Sequence, residues 1–121
     1  MIMWRAFCAS CCLLVLSETA SAALQPPARQ EVKALLSFVE RSGCSFIRNG
    51  DAHDPKDARA HLQKKLEYLE GKGLVDSAED FIDRAATQSS ISGTAYTVDC
   101  AGQNQLAADW LKQELQRLRQ P

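Results

Sequence analysis

Five cysteines lie in this 121-residue chain, and their placement constrains the fold more than any other feature. Cys8, Cys11 and Cys12 crowd into an apolar N-terminal stretch, whereas Cys44 and Cys100 stand apart in the body of the chain. Residues 1–22 read as a secretory leader: a positive start ending at Arg5, an apolar stretch from Ala6 to Leu16, and a small-x-small ending at Ala20-Ser21-Ala22. That apolar stretch is about half the roughly 20 residues needed to span a bilayer, so the leader is expected to be cleaved and to leave no membrane span. Removing 22 residues from the 121 leaves 99, one small domain over 23–121, with two cysteines bound for a compartment where disulfides persist. Cys44 and Cys100 are therefore expected to pair, which stabilises a loop of this length by roughly 4 kcal/mol in the chain-entropy model.

The leader carries one residue of each sign, Arg5 and Glu18, so the net charge of -1 survives its removal. A near-neutral domain has no basic field for gripping a phosphate backbone, and no nucleic-acid partner is expected. No internal repeat or low-complexity segment appears in the sequence.

Residues 24–28, with Pro26-Pro27, read as a short extended lead-in. Val32, Leu35, Leu36 and Val39 then recur at helical spacing, a helix ending near Gly43. Asp54-Pro55 supplies a cap and a first-turn proline for a second helix running to about Gly71, with Asp57 placed to favour the helix dipole. Ser77-Ala78-Glu79-Asp80 resembles a capping box, opening a third helix through Phe81, Ile82, Ala85 and Ala86 that stops in the Ser89–Gly93 loop. Leu106, Trp110, Leu111, Leu115 and Leu118 make a last helix. Thr94 to Cys100 is β-like, and its only plausible partner is Ser45-Phe46-Ile47-Arg48. The expected fold is thus α+β and mostly helical, with about four helices and a two-stranded antiparallel ribbon. A Cys44–Cys100 bond sets its register, Phe46 opposite Val98 and Arg48 opposite Tyr96.

This register places Arg48 beside an aromatic ring on the core face, where it either stacks on Tyr96 or holds a carboxylate or phosphate. Asn49-Gly50 reads as the turn after the strand. On the second helix Ala58, Leu62, Leu66 and Leu69 fall within an arc of roughly 80°, with Lys65 inside or beside it and His61 and Tyr68 on its flank. Lys65 either snorkels to the surface or points into a cavity shared with something negative, and Asp57, His61 and Lys65 are also spaced for a surface ladder of i, i+4 pairs. Ser89, Ser90, Ser92 and Thr94 around Gly93 read first as a self-bonded turn. No nucleophile elbow accompanies His61 and the serines. His53, His61, Asp51, Asp54 and Asp57 lack two-histidine helical spacing and the calcium-loop pattern, so no metal site and no cofactor are expected.

Cys44-Ser45-Phe46-Ile47-Arg48-Asn49-Gly50-Asp51-Ala52-His53, His61-Leu62 with Lys65, Ser77-Ala78-Glu79-Asp80-Phe81-Ile82-Asp83, and Ser89-Ser90-Ile91-Ser92-Gly93 with Tyr96 together resemble the YfeK-like family of small exported bacterial proteins. The resemblance covers nearly all of the mature chain. It implies a signal peptide and a domain of unknown function, and it brings no substrate, cofactor or catalytic assignment. It also marks Arg48, Asn49, His61, Ser89, Ser90, Gly93 and Tyr96 as polar and turn residues that the family pattern spells.

The expectation is one polar cluster where the strand end, the second helix and the serine loop meet. The leading reading is a periplasmic or secreted module using Arg48, Asn49, His61, Lys65, Ser89, Ser90, Ser92 and Tyr96 to hold an anionic group of a cell-envelope ligand or protein partner. Two rivals stand beside it. A small envelope hydrolase would use His61 with a serine or water, and an inhibitor or immunity protein would present a convex surface to an envelope-directed enzyme. The lack of a nucleophile arrangement favours binding over catalysis.

Overall fold

The computed structural model describes residues 24–121 and, in addition, Cys12; the expected leader otherwise lies outside the described residues. The order of elements is α1 (Pro26–Arg41), β1 (Ser45–Arg48), β2 (Asp51–His53), α2 (Pro55–Gly71), α3 (Ala78–Ala85), β3 (Thr97–Cys100), β4 (Gln103–Leu106) and α4 (Ala107–Leu118). The sequence of elements α-β-β-α therefore occurs twice, although the residues themselves show no repeat.

The helices form where caps and apolar spacing place them, with local departures. Pro26 and Pro27 open α1 instead of forming an extended lead-in, because a first-turn proline lacks only an N–H that would have had no partner. Asp54 caps α2 by accepting from the Asp57 N–H at 2.8 Å. Ser77 caps α3 by accepting from the Asp80 N–H at 3.0 Å, but the reciprocal half of a capping box is not made. The short Asp80 carboxylate accepts instead from the Asp76 N–H. Helix α3 also stops at Ala85, short of the serine loop. Leu106 ends β4 and is 47% exposed, so α4 starts one residue later than its apolar spacing suggests.

The expected two-stranded ribbon is the centre of a four-stranded antiparallel sheet of order β2-β1-β3-β4. The central register matches the expectation at Phe46 opposite Val98, and the Cys44–Cys100 disulfide closes one end with Cα atoms 4.5 Å apart. At the other end the ladder stops at Ile47 opposite Thr97, so Tyr96 is not paired with Arg48. Its backbone groups are taken elsewhere: its N–H donates to the Thr87 carbonyl, and its carbonyl accepts from the Ala107 N–H. The two outer strands arise from tight turns at Asn49-Gly50 and Ala101-Gly102, each with both residues at positive φ, the backbone that lets a hairpin reverse in two residues.

Phe46 and Val98 face the helices and are buried, while Ile47 and Thr97 on the other face are partly exposed. The core under the sheet joins Val32, Leu35, Leu36, Val39, Leu62, Phe81, Ile82 and Leu111. Trp110 packs internally against Phe38, with ring centroids 4.6 Å apart. No helix among the described residues is long and apolar enough to cross a membrane.

Candidate functional site

At the end of the central ribbon away from the disulfide, β1 finishes at Arg48. This end faces α2, whose buried stripe of Ala58, Leu62 and Leu66 turns His61 and Lys65 toward the sheet. From the second half of the chain comes Tyr96, only 1% exposed, with its ring tilted on Phe46 at 5.2 Å and edge-on to His61 at 6.1 Å.

These four side chains form one line of hydrogen bonds. Arg48 Nη1 lies 2.5 Å from His61 Nδ1, His61 Nε2 lies 3.2 Å from Tyr96 Oη, and Lys65 Nζ donates to Tyr96 Oη at 3.1 Å and to the Gln88 carbonyl at 3.0 Å. A guanidinium can only donate, so Nδ1 accepts and the neutral His61 ring carries its proton on Nε2. Tyr96 Oη then accepts from both His61 and Lys65, and its own O–H is free to donate to a third group. Burial, followed by the charges of Arg48 and Lys65, pushes His61 down to about 4, which keeps the ring neutral. Burial and then Arg48 also hold Lys65 below the usual lysine range. Burial lifts the Tyr96 phenol above its ordinary value against the pull of Arg48.

Among the described residues, charge matching fails at this line for partly buried cations. Four basic residues of the described chain are partly buried: Arg29, Arg48, Arg59 and Lys65. Arg29 pairs with Glu70 and Arg59 with Glu40, while Arg48 and Lys65 have no carboxylate partner among the described residues. The ladder expected from Asp57 through His61 to Lys65 does not form, because His61 and Lys65 turn to Arg48, Tyr96 and Gln88 instead. Arg48 does not stack on Tyr96 either; the cation over that ring is Lys65, 4.9 Å from its centroid.

Seven of the eight residues expected at the site wall a single cavity of about 320 Å³, with Ile91 as its other neighbour. Ser92 is the one expected residue outside that lining, and the eight divide by role. Asn49, Ser89 and Ser92 clasp the hairpin turn to the serine loop: Asn49 Nδ2 donates to Ser89 Oγ at 3.3 Å, and Ser92 Oγ donates to Asn49 Oδ1 at 2.5 Å. Buried Ser89 also accepts from the N–H groups of Ile91 and Ser92, as a self-bonded turn requires. Ser90 is exposed at the cavity wall. Both ring nitrogens of His61 are engaged by Arg48 and Tyr96, and no serine is hydrogen-bonded to it among the described residues.

Lys64, Tyr68 and Arg84 line an adjoining depression and were not singled out for the site from sequence. Tyr68 on the flank of the α2 stripe and Lys64, one turn from both His61 and Tyr68, are the ones that helical spacing could have flagged. Arg84 belongs to α3, whose approach to α2 has no local signal.

A family model described as a family of unknown function (DUF5329) matches residues 26–119. The chain belongs to the DUF5329 family. All eight expected site residues fall inside the match, as do both halves of the fold. Among relatives, the uncharacterized protein YfeK of Salmonella typhimurium (strain LT2) is 36% identical over 89 residues, covering 71% of this chain and 72% of that protein. No solved structure matches.

Proposed function

We propose that this DUF5329 protein is an exported binding module that holds an anionic group, carboxylate or phosphate, of a cell-envelope ligand or partner. The observation that carries the reading is the pair of partly buried cations, Arg48 and Lys65, left without carboxylates where comparably buried arginines have them. Burying charge without an opposite charge costs stability, and an arriving anion recovers that cost. Arg48 has N–H groups to spare beyond the one given to His61, Lys65 has a third proton, and Tyr96 has a free O–H, so the donors converge on an acceptor-rich group. Export is supported by the apolar leader with its small-x-small ending and by the disulfide, which persists in oxidising compartments.

The test is an NMR titration of the mature chain with inorganic phosphate, sulfate and acetate, repeated on Arg48→Gln and Lys65→Met. Amide shifts centred on Arg48, His61, Ser90 and Tyr96 are expected, and each substitution should weaken binding by roughly 10-fold or more, the size of one lost charge-assisted hydrogen bond. Absence of shifts at that cluster with all three anions, in variants and wild type alike, overturns the reading.

A further inference from the structure

The anion cavity does not end at Lys65. A second depression of about 320 Å³ shares His61, Lys65 and Ser90 with it and continues along α2 to Tyr68 and Leu69, with Lys64 and Arg84 at its sides. Tyr68 is 66% exposed, and Ile91 at the wall of the first cavity is 98% exposed. A cationic end that opens into an aromatic and aliphatic trough fits a ligand with a charged head and an apolar body.

Resting on the anion-binding reading above, we infer that the ligand is a single-chain anionic amphiphile. Its carboxylate or phosphate head sits among Arg48, Lys65 and Tyr96, and its alkyl tail lies along α2 over Tyr68 and Leu69. A peptide fits this trough poorly. Its floor is one face of a helix, whose backbone groups are already paired within the helix, so an extended peptide finds no strand edge there to pair with, whereas an alkyl chain needs none. From His61 to Leu69 is about 12 Å along the helix, room for a tail on the order of eight carbons.

The experiment is calorimetric titration of the mature chain with acetate and with octanoate below its micelle concentration, on wild type, Tyr68→Ser and Arg48→Gln. An open trough buries about half of such a tail, so octanoate should bind on the order of 100-fold tighter than acetate. Tyr68→Ser lies on the surface and should shrink that advantage severalfold while leaving acetate binding unchanged; Arg48→Gln should weaken both. Equal affinity for acetate and octanoate overturns the amphiphile and leaves the anion site standing, failure of both to bind overturns the amphiphile, and failure of phosphate and sulfate as well overturns both readings. Octanoate binding indifferent to Arg48→Gln overturns the proposal by reducing the trough to a merely apolar surface. Tighter binding to anionic phospholipid vesicles than to octanoate overturns it in favour of a bilayer surface.

Discussion

Acidification should loosen this protein through one ring. His61 is kept neutral first by burial and then by Arg48, which donates into Nδ1 at 2.5 Å, so that a second ring proton would set two donors against each other beside Lys65. The groups facing the ring are Arg48 from β1, Lys64 and Lys65 from its own helix, Tyr96, and His53 from β2; Asp57 is the one acid near them, lining with Phe46, Arg48, His53 and His61 a hollow separate from the two cavities above. In the open chain the ring takes up its proton near pH 6.5, and in the fold it does so at about 4. Between those values the unfolded state binds more protons, so stability falls as pH drops from 6.5 to 4 and the loss is complete below 4. Linkage sets an upper limit of about 3 kcal/mol, and the partial exposure of the ring cuts the expected loss to roughly 1–2 kcal/mol. For a domain of this size that is a fall of about 5–10 °C in midpoint. Carboxylates held low by arginines, such as Glu31 beside Arg119, add their own acid loss, so the comparison must be differential. His61→Gln keeps an acceptor for Arg48 and a donor for Tyr96 but does not titrate. Thermal unfolding of both proteins from pH 7 to 4 should give curves that converge as pH falls, with the His61 ring resonance titrating near 4 by NMR. Parallel curves, or a ring midpoint at 6.5 or above, would refute the reasoning.

Two further outcomes follow from the same geometry. Asn49 holds φ at 51° and both donates to and accepts from the serine loop, so Asn49→Ala should cost about 2 kcal/mol in denaturant unfolding. Asn49→Gly should cost less, because only the backbone part is relieved. Replacing both Cys44 and Cys100 by alanine should lower stability by about 4 kcal/mol, and the loss should match that of the wild type unfolded in reductant.

How much of this was legible in the sequence depended on where the physical signal sat. Helices α1 to α4 announce themselves because Val32, Leu62, Phe81 and Leu111 recur with their neighbours at helical spacing, and Asp54 and Ser77 are caps. The central register was readable because two cysteines fix it covalently. Strands β2 and β4 were not, since Asp51-Ala52-His53 and Gln103-Asn104-Gln105 are short, polar edge segments with no buried face to alternate; only the glycine turns before them hinted at reversal. The polar cluster was foreseen in membership but not in wiring. Arg48 and Tyr96 were expected to touch across the ribbon, and His61 stands between them because Thr87 and Ala107 draw the Tyr96 backbone out of the ladder. Contacts of that kind join distant segments and leave no periodicity to read.

The repeated α-β-β-α order also bears on how the molecule comes together. Arg48, Asn49, His61 and Lys65 belong to the first unit, and Ser89, Ser90, Ser92 and Tyr96 to the second, so the cavity is a seam. Each unit owns a local hairpin, which closes within microseconds, but joining β1 to β3 brings together segments as remote as the cysteines, 56 positions apart. The entropy of that closure must be met before its contacts form, which makes it a late event in folding. Neither unit alone carries the whole cavity. If the proposed anion binds there, it engages only the finished molecule, and its whole binding free energy is added to the union of the two halves.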